Sequence, residues 1–363
     1  MNRRHLLLGA TATAAAGGGL YLAGRGPSYS HASAPVRVEM EARSDADMRY
    51  LVHHAVLAAN SHNTQPWLFG TGERHLEITP DLRRETPVVD PDHHHLFVSL
   101  GCAAENLSLA ALAAGAQANI GFVSTAAGLR VDLERTRETR DPLFAAIRSR
   151  QCTRADYDGR ASKPADLASL EQAAAVKGCR VMLITEKPVM TNVLDLIVAA
   201  NSAQIADGAF MRELKSWIRF NAASAVATGD GLYSACTGNP SLPSWLGNAL
   251  FERVVTAEGE NAKCVSQIRS SAGLAIFVSD ENDPAHWVQA GRSYQRFALQ
   301  ATRLGLKHAF LNQPVEVEGF RLQLARLVGT GDKRPDLVVR FGYGTAMPMS
   351  MRRPIADVMT ALR

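Results

Sequence analysis

Aromatic residues are scarce in this chain, 6% of 363 residues against a hydrophobic fraction of 46%. A core of that composition rests on Ala and aliphatic side chains, which favours closely packed helices, and a 20% charged fraction excludes global disorder. Strong charge of either sign is also missing. The 39 basic residues fall to 36 if the first 34 positions are removed with Arg3, Arg4 and Arg25, against 35 acids, so the net charge drops from +4 to about +1. The isoelectric point near 8.9 therefore gives little support to a nucleic-acid partner. Five cysteines (Cys102, Cys152, Cys179, Cys236, Cys264) form no Cys-x-x-Cys pair and no zinc spacing. Cys102, set among Ala residues, reads as a small core residue. No Gly-x-Ser-x-Gly elbow occurs, and adjacent side chains such as Ser61 and His62 rarely meet as nucleophile and base, so a serine hydrolase is unsupported. No Gly-x-Gly-x-x-Gly follows a strand, and Gly329-x-Gly331 sits in a polar turn, so no Rossmann site is read. His93-His94-His95 with Asp90 and Asp92, like His53-His54, points to different faces. It reads as a solvated loop entering a helix, with the Asp residues at the helix N-terminus and no metal held.

The first 34 residues have a leader layout. Arg3-Arg4 precedes a weakly apolar Ala/Gly-rich run to about Gly24, and Ala32-Ser33-Ala34 offers a small-x-small cleavage site. The pair of arginines resembles a twin-arginine (Tat) signal, which implies folding and cofactor loading before export. Cleavage after Ala34 and a periplasmic or exported location are expected, with the Tat translocase as a transient partner and no stable membrane span afterwards. The run is close to the lower length limit for spanning, roughly 17 residues, so a retained anchor is the other reading. The odd cysteine count then leaves at least one free thiol in an exported protein, unless chains pair.

Ala58-Ala59-Asn60-Ser61-His62-Asn63-Thr64-Gln65-Pro66-Trp67 follows an apolar helical pattern (Leu51, Ala55, Val56, Ala59) and ends in a Pro that a helix interior does not tolerate. Short polar side chains are thus gathered where a helix stops, presented to something planar and polar. The stretch resembles the Ser-x-Asn-x-Gln-Pro-Trp signature of the nitroreductase family of FMN proteins. That resemblance implies Asn60, Ser61, Asn63 and Gln65 against a flavin ring.

Two segments share a spacing. Gly101, Leu107, Leu109, Ala111 and Gly115 recur as Gly291, Phe297, Leu299, Ala301 and Gly305, each pair 190 residues apart. Apolar residues at these intervals mark a buried helix face closed by a Gly C-cap. Short apolar stretches precede each (His75–Ile78, Leu274–Val278), Asp and His residues open each (Asp92–His95, Asp283–His286), and extended segments follow (Asn119–Val123, His308–Leu311). The chain beyond the leader is therefore expected to hold two α+β halves, 40–148 and 149–363. The second carries an insertion, 207–268, rich in turn signals such as Gly229-Asp230-Gly231 and Gly238-Asn239-Pro240. A long insertion beside a site is often a lid.

Arg150-Gln151-Cys152-Thr153-Arg154-Ala155-Asp156-Tyr157 resembles the opening motif of nitroreductase domains, whose residues bind the FMN phosphate. Guanidinium forks match phosphate oxygens, and a hydroxyl adds a donor. Cys152 stands where Ser or Thr is usual, so Thr153 is expected to substitute or one contact is lost. Near the C-terminus, Phe341-Gly342-Tyr343-Gly344 and then Arg352-Arg353 resemble the family's last strand and its phosphate-reaching basic residues. Glu318-Gly319 matches the pair whose backbone contacts the flavin ring, while Gln313-Pro314 or Glu316 are alternative registers.

The ring-facing set occurs only in the first half and the phosphate arginines only in the second. The resemblance thus implies a nitroreductase-like α+β fold of two fused halves, a pseudo-dimer with a helical lid insertion and one complete site, similar to the Acg-like branch. The function implied is an FMN-dependent oxidoreductase reducing a small-molecule nitro, quinone or similar acceptor, with NAD(P)H or a redox protein as donor. The flavin carries the chemistry, so no side chain is assigned a catalytic acid or base role. The alternatives are a non-catalytic FMN-sequestering protein and an exported interaction protein without flavin.

Overall fold

The computed structural model describes residues 26–362, so the twin-arginine pair and the apolar run to Gly24 lie outside the described residues. Helix α1 (Gly26–Ser33) precedes α2 (Met48–Ala55), which Asp47 caps by accepting from the Tyr50 amide at 3.1 Å. A hairpin of β1 (Trp67–Thr71) and β2 (His75–Pro80) leads to the long helix α3 (His94–Ala113), then to a second hairpin, β3 (Ala116–Val123) and β4 (Gly128–Arg135). Next come α4 (Pro164–Ala174), β5 (Cys179–Ile184) and α5 (Lys187–Ala206). A mostly helical stretch follows: α6 (Gly208–Trp217), β6 (Ile218–Arg219), α7 (Ala222–Thr228), β7 (Leu232–Tyr233), α8 (Ser244–Val254) and α9 (Ala257–Arg269). The chain ends with β8 (Gly273–Ser279), α10 (Pro284–Arg303), β9 (Lys307–Phe310), α11 (Gln313–Glu316), α12 (Glu318–Val328), β10 (Pro335–Gly342) and β11 (Met359–Ala361). This is an α+β fold.

Two sheets frame the molecule, ordered β11-β1-β2-β4-β3 and β5-β8-β10-β9. With β11 set aside, both have one connectivity, and every neighbouring pair is antiparallel. Between them α3 and α10 cross at glycines. A Cβ on Gly101 would lie 2.1 Å from the Val288 carbonyl oxygen, and one on Gly291 would lie 2.0 Å from that of Val98. The contact is reciprocal, because both residue pairs keep the 190-residue spacing. Only glycine permits backbones this close. Cys102, fully buried, donates its thiol to the Gly291 carbonyl at 3.2 Å. Across the same interface Glu105 accepts from Arg292 and Arg296 at 2.9 and 2.8 Å.

The main core joins the first sheet, the crossing helices and one face of the second sheet. A second core covers the other face of that sheet with α5, α9 and α12. The 93–95 histidines do not form the solvated loop expected from sequence. His94 and His95 are buried, not solvated: His94 Nε2 lies 2.8 Å from Asp336 Oδ1, and His95 Nε2 lies 3.5 Å from Glu316 Oε1. Packing of α3 between two sheets leaves its first turn no solvent-facing side, so each imidazole needs a carboxylate. Burial lifts the Asp336 carboxyl to about 7 and pushes His94 well down. The neighbouring acids behave as expected, with Asp90 accepting from the His95 and Leu96 amides at 2.9 Å each.

The chain also has a strand beyond β10. β11 pairs parallel with β1, Phe69 opposite Met359, so the C-terminus returns to the first sheet. That return draws Met351-Arg352-Arg353 beneath the loop after α2. Three residues are too few to show strand periodicity, which is why β11 escapes a sequence reading.

Candidate functional site

The loop after α2 is strained. His62, Asn63 and Gln65 all have left-handed backbones, with φ of 47°, 54° and 55°. Each costs about 1–3 kcal/mol for a non-glycine residue unless the surroundings hold it. Here they do. Asn60 Oδ1 accepts from the Gln65 amide at 2.9 Å. Asn63 donates to the Gly231 and Met351 carbonyls at 3.2 and 3.3 Å and accepts from Arg352 Nη1 at 2.7 Å. Gln65 donates to the Gly229 carbonyl at 2.9 Å and accepts from the Arg353 amide at 2.7 Å. The loop is thus fastened both to the 229–231 turn and to the returning C-terminus. Gly229 and Gly231 are themselves left-handed, and a Cβ on Gly231 would stand 2.5 Å from the Trp217 carbonyl oxygen.

Two adjoining cavities open beside this loop. The smaller, about 40 Å³, is lined by Arg37, Asn60, Asn63, Arg150, Cys152, Arg154 and Arg352, among others. The larger, about 300 Å³, shares Asn60, Arg154 and Leu232 with it and adds Ser61, His62, Asn201, Gln204, Gln313 and Glu316. Apolar and polar residues from the 207–268 stretch complete its wall, including Phe210, Leu214, Thr237, Asn239 and Lys263.

The arginines differ in how far they are already committed. Arg352 uses all three guanidinium nitrogens on the Val56, Leu57 and Ala58 carbonyls, Asn63 and its neighbour Met351, so it caps the end of α2. Arg150 donates to the Leu57 carbonyl at 3.0 Å and its Nε is buried without a partner. Arg154 directs no guanidinium hydrogen bond at another described residue and faces both cavities. Among the described residues none of these three, nor Arg37, has a carboxylate at ion-pair distance. The arginines just outside do: Arg84 and Arg219 with Asp230, and Arg353 with Asp81. Burial, with Arg37 and Arg150 close by, pulls Arg352 well below the usual arginine range. The small cavity is therefore a concentration of positive charge without carboxylate partners.

Cys152 is the local counterweight. It bridges to His308 on β9, its sulfur lies 3.6 Å from the Tyr294 hydroxyl, and Arg150 Nη1 lies 3.9 Å away. Burial opposes its ionisation, but His308 and the guanidiniums outweigh burial and hold the thiol down at about 5. Thr153 does not substitute for it. That residue is fully buried and lines neither cavity, and its hydroxyl donates to Gln151 at 3.2 Å. The 150–157 loop is held from below by Arg340, which donates to the Thr153 and Ala155 carbonyls and lies 4.0 Å over the Tyr157 ring.

Of the residues singled out in sequence, Asn60, Ser61, Asn63, Arg150, Cys152, Arg154 and Arg352 come together at these cavities. Gln65 is fully buried beneath the loop and acts as its fastener. Arg353 is turned toward Asp81 and donates to the Gln65 and Asp357 carbonyls, so it lines neither cavity. Glu318 and Gly319 also lie elsewhere. Glu318 faces a separate cleft of about 340 Å³ with Arg321 and Arg334, and Gly319 has open space around it. The chain turns from α11 into α12 at Val317, which leaves Gln313 and Glu316, one from each alternative register, lining the larger cavity.

The same helix turn leads to residues the sequence did not single out, Asn201 and Gln204 on α5. Glu316 accepts from Gln204 Nε2 at 2.6 Å and pairs with His95. Burial would neutralise both partners, but their mutual attraction wins, lowering Glu316 and raising His95. His62, facing the same cavity, is pushed down to about 4 by burial and stays neutral. Asn201 and Gln204 stand three apart on α5 beside buried Ile197 and Ala200. That polar pair on an apolar face was the available signal.

No family model matches the chain. It is 23% identical over 354 residues to the putative NAD(P)H nitroreductase Rv3131 of Mycobacterium tuberculosis (strain ATCC 25618 / H37Rv), spanning 93% of this chain and 95% of that protein. The putative NAD(P)H nitroreductase MT3217 of the CDC 1551 / Oshkosh strain matches to the same extent. Among solved structures, a nitroreductase with bound FMN from Desulfitobacterium hafniense DCB-2 aligns at TM-score 0.38 and 14% identity, covering 62% of this chain and all of that one. Iodotyrosine deiodinase bound to FMN and 3-iodo-L-tyrosine aligns at TM-score 0.38 and 12% identity, over 58% of this chain and 95% of that one. Along nearly its whole length the chain is thus similar in sequence to nitroreductases.

Proposed function

We propose that the protein binds FMN and acts as a nitroreductase-type oxidoreductase, making a two-electron reduction of a nitro compound, quinone or similar acceptor. The observation that carries this reading is the joined pair of cavities. One end is ringed by guanidiniums without carboxylate partners, and the other by amides and apolar side chains. A phosphate suits the first and a flat, hydrogen-bonding ring the second. Buried polar atoms without partners fit such a guest: Arg150 Nε and Gln313 Oε1 belong to residues lining the two cavities.

FMN supplies the two-electron redox chemistry when bound. The chain's own residues bind and orient. Arg154 and Arg150 would hold the phosphate, Asn60 stands where the two cavities meet with Ser61 beside it in the larger, and neutral His62 adds no charge beside the ring. Whole-length similarity to putative NAD(P)H nitroreductases supports this class. The proposal includes a duplicated origin of the two halves, 40–148 and 149–363, supported by the matching sheet order and the reciprocal glycine crossing. It also includes export through the Tat route of a folded, loaded, Acg-like protein, with NAD(P)H or a redox protein as donor.

A second reading, sequestration of FMN without turnover, is favoured by the wall that 207–268 builds over the larger cavity. Purified protein is expected to be yellow. Arg154→Ala is expected to weaken FMN binding about tenfold to a hundredfold while sparing riboflavin, read by fluorescence titration. Rapid bleaching by a donor and reoxidation by a nitroarene would establish turnover. A bound flavin that neither reagent reaches would establish storage, and colourless protein that takes up no FMN would sink both readings.

A further inference from the structure

Residues just downstream of the apolar leader are built into the small cavity. Tyr29 on α1 is buried against Tyr233, with ring centroids 4.5 Å apart, and its hydroxyl donates to the Met349 carbonyl at 2.7 Å. Ala222, Ala225, Cys236 and Met351 complete that cluster, so α1 bridges the 207–268 stretch and the returning C-terminus. Arg37 follows, donating to the Ser350 carbonyl at 2.9 Å and, at 3.5 Å, to the Ser33 carbonyl. It lines the cavity together with Arg150 and Arg154, again with no carboxylate partner among the described residues. Burial and the Arg150 charge pull its guanidinium down to about 10, a strain that an anion between the two would relieve.

The bond expected to be cut lies within this segment. Ala34 is helical, with φ −65° and ψ −46°, and is followed by Pro35, while Ser33 is buried. A peptidase needs an extended stretch, and Ala34, though exposed, is helical. Cutting there would also remove Tyr29 and the Ser33 carbonyl that positions Arg37.

We propose that Arg37 is a phosphate-binding residue of the flavin site, positioned by a strap from Tyr29 to Arg37 that stays attached in the loaded protein. This rests on the FMN reading. Its chemistry is a fourth guanidinium closing the cavity over a phosphomonoester dianion.

The test compares FMN and riboflavin affinities of the full chain with those of Arg37→Ala and Arg37→Lys, with circular dichroism as a check on folding. Arg37→Ala is expected to lose about tenfold or more for FMN and nothing for riboflavin, with partial recovery in Arg37→Lys. An unchanged FMN-to-riboflavin ratio overturns the role of Arg37. If Arg154→Ala still shifts that ratio, the FMN reading survives the failure. If the full chain binds neither flavin, both fall. Intact-mass analysis of exported, flavin-loaded protein reads the strap directly. An N-terminus upstream of Tyr29 is expected, and a fully loaded protein beginning at Pro35 overturns it.

Discussion

The two sheets share a strand order but not an environment. In the first, β4 alternates buried and exposed residues (Gly128–Arg135), and β3 leaves Gln117 and Asn119 outside. In the second, β8 and β10 are buried at every position. The difference arises because the second sheet is covered twice, by the crossing helices on one face and by α5, α9 and α12 on the other. A sheet wetted on one side alternates, and one covered on both sides reads as a continuous apolar run. The same asymmetry divides the site. The first sheet's β1 is entered through a strained polar loop, Asn60–Pro66. Its counterpart β5 is entered through an ordinary turn at Gly178, φ 89°, followed directly by apolar strand. Two sheets of one strand order thus differ at their entry, and only the first is entered through the polar loop that lines the cavities.

The largest expected effect breaks what the halves share. Gly291→Val would drive a side chain into the Val98 carbonyl, so a loss of about 3 kcal/mol or more is expected, or failure to fold, read by thermal unfolding. Gly101→Val should match it, since the contact is reciprocal. Unequal losses would show that the crossing is not symmetric.

A middle-sized effect separates the two entry loops. Asn63→Ala removes three hydrogen bonds from a left-handed, buried position and should cost about 1–3 kcal/mol along with flavin affinity. Lys177→Ala, at an exposed position of the turn that enters β5, should change flavin affinity not at all. Equal effects on flavin would mean that the second loop also serves a site.

The smallest effect concerns the thiol that stands in the small cavity. With Cys152 held at about 5, against about 11 for Cys264 and about 12 for Cys179, alkylation by iodoacetamide should mark Cys152 first. A thiol with a lowered pKa is ionised above it, so the rate should rise through pH 5 and level off by neutrality. Saturating FMN should slow the labelling. Mapping by peptide mass spectrometry checks this, and an ordinary thiol profile still rising above pH 8 would contradict the electrostatics described for this pocket.

Much of this was legible in the residues. The 190-residue spacing marked the two helices that cross, and Asn60–Trp67, Arg150–Tyr157 and Arg352 marked segments that meet at one place. What was not legible was how each side chain is used. Arg352 and Arg353 are adjacent and look alike in sequence, yet one caps α2 at the cavity wall and the other is neutralised by Asp81. Glu318-Gly319 and Gln313–Glu316 are separated by a single turn of chain. Only the direction in which α11 packs decides which faces the cavity. Arg37 lies just beyond the expected leader and carries no motif, so nothing local distinguished it.

Sequence alone therefore determined the elements: helix periodicity, the Gly positions, the polar loop ending in Pro66, and the arginine-rich loop at 150–154. These follow from local sterics and from side-chain chemistry that travels with the residue. Tertiary structure decided which guanidiniums stay unpaired, which His residues are buried, and that residues 29–37 close the site. Those outcomes depend on what a charge finds beside it once distant segments are packed together, and no local pattern encodes the distance.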